Sequence, residues 1–274
     1  MRDILLHAHI FKNAGSTLDW SLARSFGDGF RAHRADKLMR PRPAEELARA
    51  ADDPGLRALS SHTLPFPLQS IDGIRFSTLV LLRHPLHRAR SVYRFERRQD
   101  AATPGARAAK ALDFADYVRW RLRDDVGPTI RNFQTRYLAG QRARQPGFVT
   151  TPATFRSALD CLAEQSMVGV VERYPESMLA FETVLAARFP ELDLAFLPQN
   201  MTRESLGDER LDWLAGLGSL GQALIDHNSY DLALYQLARA ALDDRLARLG
   251  VGDEATARFR ERQRLLSHEL NEQA

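Results

Sequence analysis

The stretch that decides the fold is HIFKNAGSTLDW, residues 9–20. Apolar residues at positions 4–6 and 10–11 predict a buried strand, and apolar residues that follow at helical spacing predict a helix over 16–25. A turn of small and polar residues joins the two. Such a turn leaves several backbone N–H groups unpaired and directed at one point, which suits a phosphate or sulfate group. The stretch therefore predicts an anion-binding site directly after the first strand.

Apolar segments alternate with segments of helical pattern along the rest of the chain. We predict further strands at residues 56–62, 76–83 and 166–174, with a helix after Pro85, mostly helical structure over 104–144, and helices over most of the chain beyond 174. This alternation predicts an α/β fold with a central parallel sheet flanked by helices and a helix-rich C-terminal half. Ligands of such sheets bind at the carboxyl ends of the strands, where Lys12, His62 and Arg83 fall.

Length and composition limit the classes of protein that fit. With 274 residues, 44% of them hydrophobic, we expect a single domain over 1–274 that ends in an amphipathic helix at 253–274. A formal net charge of +3 argues against a nucleic-acid-binding protein. The lone Cys161 excludes an internal disulfide. Because we find neither a signal peptide nor a long apolar run, we expect a soluble, cytoplasmic protein without a membrane span.

The turn after the first strand suggests at first a nucleoside triphosphatase or a kinase, because strand, glycine-containing loop and helix is the plan of the P-loop. The residues fit that class poorly. A Walker A loop places its lysine after the glycines, whereas Lys12 precedes Gly15, the only glycine of this stretch. The strand at 76–83 ends in Arg83 rather than in an aspartate that would hold Mg²⁺. A cation there indicates that side chains, not a metal, neutralise the ligand.

A second anion-binding feature is LLRHPLHRARSVYRFERR, residues 81–98. Arg83 ends a strand, Pro85 suits the first turn of a helix, and Arg88 and Ser91 share a helical face. Arg83 and Ser91 could hold one phosphate group between them, through charge-assisted hydrogen bonds and a hydroxyl donor. A basic surface helix is the alternative, and it explains this charge run better when the run is taken alone. Beside the anion-binding turn, the phosphate site becomes the better interpretation.

These two features, FKNAGST at 11–17 and Arg83 followed by Ser91, resemble the sulfotransferases that use 3′-phosphoadenosine 5′-phosphosulfate (PAPS). The similarity is greatest to the carbohydrate-type group that includes the heparan sulfate 2-O- and 6-O-sulfotransferases. Further similar stretches follow in the same order along the chain, namely NFQTRYLAG at 132–140, VGVVERYPESM at 168–178, Asn-Met-Thr at 200–202 and YDLALYQLA at 230–238.

The resemblance implies a P-loop-like three-layer fold, a PAPS donor with PAP as product, and no metal. It implies that Lys12 and the backbone of Asn13, Ala14, Gly15, Ser16 and Thr17 bind the phosphosulfate, that Arg83 and Ser91 bind the 3′-phosphate, and that Thr202 lies near the nucleotide. Lys12 would stabilise the charge that develops on the leaving oxygen. His62 matches the histidine base of the family, and a neutral imidazole suits the removal of a proton from an acceptor hydroxyl.

The acceptor itself stays open, because a glycan, a lipid and a small metabolite all carry hydroxyl groups. Animal members of the resembled group are held in the Golgi by a membrane segment, so we expect this chain to be a bacterial-type soluble member. We expect residues 97–130 to shape acceptor specificity and the terminal helix to cover the domain or a partner subunit, which leaves an oligomer open. A metal-dependent kinase and a non-catalytic nucleotide-binding adaptor remain the alternatives.

His7 and His9 share one face of the first strand, a spacing that metal ligands also use. The surrounding sequence has no evident cluster of acidic residues or cysteines to complete a metal site. We therefore predict that both histidines are buried or lie at the rim of the sheet.

Overall fold

The computed structural model describes residues 1–33, 41–145, 147–165, 167–197 and 211–272. Its centre is a sheet of five parallel strands in the order β2-β3-β1-β4-β5. The strands are β1 (Arg2–Ala8), β2 (Phe30–His33), β3 (Ala58–Ser61), β4 (Ile74–Leu82) and β5 (Met167–Val170). The predicted α/β fold with a parallel sheet is confirmed.

Helices follow the strands and fill most of the chain after β4. They are α1 (Gly15–Phe26), α2 (Pro43–Ala51), α3 (Pro85–Arg98), α4 (Pro104–Ala111), α5 (Phe114–Arg121), α6 (Phe133–Leu138), α7 (Pro152–Gln165), α8 (Tyr174–Leu185), α9 (Asp212–Ala215), α10 (Ser219–Asp226), α11 (Ser229–Arg248) and α12 (Asp253–Glu272). The predicted helices after Pro85 and at the C-terminus are confirmed. None of the helices in the described ranges combines the length and the apolar character that crossing a bilayer needs.

Alternation along the strands produces two apolar faces, and helices cover both. On one face, Leu5, Leu79 and Leu81 pack with residues of α1 and α8. On the other, Leu6 and Val80 pack with residues of α6, α7 and α11. Strands buried on both faces read as nearly continuous apolar runs, which is why β1 and β4 are evident in the sequence. The result is a three-layer arrangement of helix, sheet and helix.

The edge strand β2 is the element that the sequence analysis missed. Phe30–His33 has four residues and only one large apolar side chain, so it lacks the pattern of a buried strand. It pairs with β3 alone, at one edge of the sheet. The first strand also ends earlier than predicted, at Ala8, because the chain turns before Ile10 and that side chain joins the core from the turn.

The strand order places the predicted site residues side by side. β1 lies between β3 and β4, and its last residue, Ala8, is paired with Ser61 on one side and Val80 on the other. Because all three strands run in the same direction, the residues that follow them meet at the same edge of the sheet. Lys12, His62 and Arg83 are therefore gathered at this carboxyl edge, as predicted.

A buried polar network of α6 and α11 fixes the end of β4 at that edge of the sheet. Gln134 of α6 is fully buried, and its side-chain amide accepts the N–H of Arg83 at 2.9 Å and donates to the carbonyl of Arg83 at 2.9 Å. The backbone N–H groups of Gln134 and Thr135 donate in turn to the carboxylate of Asp231, at 3.0 and 2.7 Å. Asp231 thus caps α6 and orients the side chain that holds the end of β4.

This network predicts a large difference between two aspartates of the helical half. Asp231→Ala should lower the free energy of unfolding by about 2–4 kcal/mol, because two buried N–H groups lose a charged acceptor. Asp226→Ala removes an exposed carboxylate whose hydrogen bond comes from Gln222, and should cost about 0.5 kcal/mol or less. Denaturant unfolding of both variants measures the difference. Equal losses would show that Asp231 does not support the sheet end.

Candidate functional site

The turn after β1 has an unusual backbone conformation. Lys12 and Ala14 both lie in the left-handed region, with φ of 66° and 58°. Residues other than glycine reach this region at a cost of order 1–3 kcal/mol, so the surroundings must hold the turn. Arg88 of α3 does so, because its guanidinium donates to the carbonyls of Phe11 and Thr129 at 2.9 and 2.8 Å. Arg88 is fully buried and anchors the turn.

Asn13 is the second anchor of the turn. Its side chain is buried and donates to the carbonyl of Leu81 and to Oε1 of Gln134, both at 2.7 Å. Its own backbone N–H donates to the carbonyl of Ile10 at 3.1 Å. Asn13 therefore ties the turn to β4 and to the Gln134 network. The backbone N–H of Asn13, expected to bind the phosphosulfate, therefore already has an acceptor in the preceding residues.

The backbone N–H groups of the remaining predicted loop residues differ in whether they have an acceptor. Thr17 is buried, and its N–H donates to the carbonyl of Ala14 at 3.1 Å. Gly15 and Ser16 begin α1, where the first N–H groups have no acceptor within the helix. The amides of Gly15 and Ser16 are thus the backbone donors of this turn that best suit an anion.

The side chain of Lys12 lies among cations and over an aromatic ring. Its Nζ is 4.6 Å from the centre of the Phe95 ring of α3. Burial, followed by the positive charges of Arg83, Arg98 and Arg88, lowers the pKa of Lys12 to about 8. An anion bound here would relieve this repulsion and raise the pKa again. Arg98 is a member of this group that the sequence analysis did not single out.

Arg83 and Ser91 border the same region. Arg83 is 7% exposed, and its Nη1 donates to the carbonyl of Lys12 at 3.4 Å, a long hydrogen bond. Ser91 is half-buried on α3, four residues before Phe95. Residues four apart lie on one helical face, so Ser91 is on the face of α3 that carries the Lys12 ammonium. The structure thus brings Lys12, Arg83 and α3 together as the sequence predicts.

His62 directly follows β3, and a hydrogen bond fixes its protonation pattern. Its Nδ1 lies 2.7 Å from the backbone carbonyl of His9. A carbonyl can only accept, so Nδ1 carries the hydrogen, and in the neutral ring Nε2 holds the lone pair. The half-buried ring also lies against the His9 ring, with 4.2 Å between their centres. His62 therefore has the tautomer that a general base acting through Nε2 requires.

A buried acid joins the two histidines of β1. Nδ1 of His7 and Nδ1 of His9 lie 2.7 and 2.9 Å from the two carboxylate oxygens of Asp19 on α1. Burial would raise the pKa of Asp19, but the hydrogen bonds and charges of His7 and His9 outweigh it and hold this pKa well below its usual range. The prediction that both histidines are buried is confirmed. The sequence showed no cluster of acids beside these histidines, and the fold brings one acid to them, Asp19 of α1.

A second acid, Glu172, lies behind Arg83. Its Oε1 accepts the backbone N–H of His84 at 3.0 Å and lies 3.6 Å from Nδ1 of His87. Burial opposes ionisation, but these contacts and the charge of Arg83 lower the pKa of Glu172. Glu172 thus occupies the amide at the start of α3, so the anion cannot use that N–H.

Two expectations about neighbouring segments stay predictions. Thr202, with the stretch at 200–202, lies outside the residues that the structure describes. Residues 97–130 contain α4 and α5, and a buried group joins α5 to α3: Arg121 donates to Tyr117 at 2.8 Å and to Glu96 at 2.6 Å. The segment is therefore fixed beside the helix that carries Ser91, and its effect on an acceptor stays a prediction.

Fold and site together define a three-layer α/β protein whose parallel sheet carries a cationic turn and a histidine at its carboxyl edge. No family model matches the chain. A protein of Archaeoglobus fulgidus, described as an uncharacterized protein, is 32% identical over 213 residues, which cover 73% of this chain and 80% of the archaeal protein. The chain belongs to the same family as this archaeal protein.

The surroundings of Lys12 predict an unusual titration. Its ammonium should lose its proton as the pH rises through about 8, more than two units below an ordinary lysine at roughly 10.4. With three lysines in the chain, the ¹³Cε resonances of labelled protein can be resolved, and Lys12→Arg identifies the relevant one. Arg83→Gln should raise the midpoint because it removes a neighbouring cation, whereas Arg107→Gln, on an exposed position, should not. A Lys12 midpoint near 10 would contradict the described environment.

Proposed function

We propose that this protein is a PAPS-dependent sulfotransferase that moves a sulfuryl group to an acceptor hydroxyl. The observation that carries the proposal is the meeting of three groups at one sheet edge. Lys12 and Arg83 supply cations there, and His62 supplies an imidazole whose Nε2 is set to accept a proton. These are the groups that an in-line transfer between two oxygens needs.

The turn after β1 is the proposed site of the 5′-phosphosulfate. Lys12 offers a compact ammonium, and Gly15 and Ser16 offer helix-start amides to the same anion. The lowered pKa of Lys12 supports this assignment, because a cation held among other cations gains more from an anionic ligand than an exposed one. The left-handed backbone at Lys12 sets the side chain toward α3, where its Nζ lies over Phe95.

Arg83 and Ser91 are the proposed site of the 3′-phosphate. Arg83 has a fixed main chain, held on both its N–H and its carbonyl by Gln134, so its side chain starts from a defined position. A buried guanidinium and a helix hydroxyl suit a phosphate that accepts several hydrogen bonds. This pair would distinguish PAPS and PAP from nucleotides without a 3′-phosphate.

The proposed reaction is a single displacement at sulfur. His62 Nε2 accepts the proton of the acceptor hydroxyl while the acceptor oxygen forms a bond to sulfur. The bond between sulfur and the bridging oxygen of the phosphosulfate breaks, and its electron pair stays on that oxygen as PAP leaves. Lys12 stabilises the charge that develops there; removing one such donor typically costs roughly 100- to 1000-fold in rate. The imidazolium of His62 later releases its proton to water.

Phosphoryl transfer by a metal-dependent kinase fits these residues less well. Such enzymes hold Mg²⁺ with a carboxylate near the phosphates. Here β4 ends in Arg83, and the two buried acids described near the site already bind other groups: Asp19 accepts from two histidines and Glu172 accepts from His84. A non-catalytic nucleotide-binding adaptor would share the anion site but would need no defined tautomer at His62.

Nucleotide binding tests the anion site directly. We expect PAP to bind at least about 100-fold more tightly than 5′-AMP or ATP in metal-free calorimetric titrations, because only PAP has a 3′-phosphate for Arg83 and Ser91. Arg83→Ala should weaken PAP binding by about 10- to 100-fold and Ser91→Ala by about 2- to 10-fold, from the usual values of charged and neutral hydrogen bonds.

Arg107→Ala is the matched control, since it also removes one arginine from the same half of the chain, at an exposed position. It should leave the affinity for PAP unchanged. Equal or tighter binding of ATP, or equal affinities for PAP in Arg83→Ala and Arg107→Ala, would mean that the phosphate site is wrongly assigned and that the proposal fails.

Transfer of label from [³⁵S]PAPS to a panel of glycans, lipids and small alcohols tests the reaction. His62→Ala should lower kcat by about 100- to 10,000-fold and leave the affinity for PAP within about threefold, because a general base acts on the acceptor and not on the nucleotide. His227→Ala, at an exposed histidine, should have no effect. Tight PAP binding, with no transfer to any member of the panel, would favour the adaptor.

A further inference from the structure

The side chains beneath the proposed base form a continuous buried path from α1 to His62. The fully buried carboxylate of Asp19 accepts from His9 Nδ1 at 2.9 Å. The His9 ring lies 4.2 Å from the His62 ring, centre to centre, and the His9 carbonyl accepts from His62 Nδ1 at 2.7 Å. The proposed transfer reaction assigns no role to Asp19 or to the His9 ring.

We propose that Asp19 is a positioning residue that acts through His9 to fix the orientation and the basicity of His62. The inference rests on the proposed function for its meaning, because it assigns to His62 the role of base. It rests for its geometry on the contacts of Asp19 and His9 alone.

Two contacts give His9 this role. Its backbone carbonyl sets the tautomer of His62, and its ring limits how the His62 ring can turn. The same ring also lies against the start of α1, where a Cβ on Gly15 would overlap it. One imidazole, held by Asp19, thus separates the base from the proposed phosphosulfate turn. A fixed separation matters because small displacements of reacting groups cost large factors in rate.

Asp19 also has an electrostatic effect on this path. The titratable groups that face it among the described residues are His7 and His9 on β1 and the buried hydroxyl of Tyr174 on α8. A carboxylate close to an imidazole favours the protonated form of that ring. It would therefore stabilise the imidazolium that His62 becomes when it takes the acceptor proton.

His7 supplies an internal comparison. It makes the same kind of bond to Asp19, through Nδ1 at 2.7 Å, and also lies 3.1 Å from the hydroxyl of Ser60. Its ring stacks on the ring of His9, with 5.1 Å between their centres. Asn can place its amide nitrogen near the position of an imidazole Nδ1. His7→Asn and His9→Asn should therefore both keep a donor to Asp19, while only His9→Asn removes the ring against His62.

These three side chains are also of metal-binding types, with ligand atoms within 4.8 Å of one another. Their N–O distances of 2.7 and 2.9 Å are those of charge-assisted hydrogen bonds. A hydrogen-bonded cluster and a metal site have different consequences, so the metal content of the purified protein belongs to the test.

The test is NMR of ¹⁵N-histidine in the full chain, which reports the tautomer and pKa of each ring and needs no acceptor. His62→Gln assigns the His62 signals. In the wild type we expect His62 to be protonated on Nδ1 when neutral. Asp19→Asn removes the negative charge of the carboxylate, so it should lower the His62 pKa by about half a unit or more. His9→Asn keeps the backbone carbonyl but removes the ring that limits how the His62 ring can turn. Part of the His62 population should then leave the Nδ1 hydrogen bond and show the second tautomer, whereas His7→Asn should leave the His62 tautomer unchanged.

Three results would overturn the proposal. One is a folded Asp19→Asn protein with an unaltered His62 pKa and tautomer. Another, decisive even where Asp19→Asn does not fold, is an equal effect of His7→Asn and His9→Asn on His62. The third is a stoichiometric metal that Asp19→Asn loses. If PAP does not bind, the proposed function fails while the His62 signals still decide the positioning; if PAP binds and His62 ignores His9→Asn, only the positioning fails.

Discussion

The buried side chain of Gln134 is the constraint on which the site depends. Its amide bonds both main-chain groups of Arg83 and accepts from Asn13, so one residue of α6 locks the end of β4 to the turn after β1. Asp231 holds Gln134 in place through the start of α6. Because these bonds are made in the interior, where an unpaired polar group is costly, they fix the relative positions of the two cationic residues more firmly than surface contacts could.

This constraint lets the site carry charge that would otherwise destabilise it. Lys12 lies close to Arg83 and Arg88, and burial, together with the repulsion from these cations, lowers the pKa of Lys12. The guanidinium of Arg88 donates through Nε and Nη1 to two backbone carbonyls, which hold this buried cation in place. The cations of the turn thus form a preorganised charge, and a preorganised charge stabilises a developing anion without the cost of rearrangement.

The sheet was predictable from the sequence because burial on both faces leaves apolar runs that few other structures produce. β1 and β4 were located in this way, and the residues at their ends followed from the rule for parallel sheets. β2 was missed because an edge strand of four residues has no such run. Local motifs and a family resemblance suggested Lys12, His62, Arg83 and Ser91 as candidate site residues. The inward direction of the Asn13 side chain could not be predicted, since its partner Gln134 is remote in the chain.

The sequence by itself determined the parallel α/β sheet, the cationic turn after its first strand and the placement of three polar residues at strand ends. These follow from local patterns, because side-chain periodicity and turn chemistry act over a few residues. Only the tertiary structure decided which nitrogen of His62 carries the hydrogen, that Asp19 holds the His9 ring, and that Arg88 anchors the turn. Each of these depends on the distance between atoms on different elements, which packing sets and spacing along the chain does not.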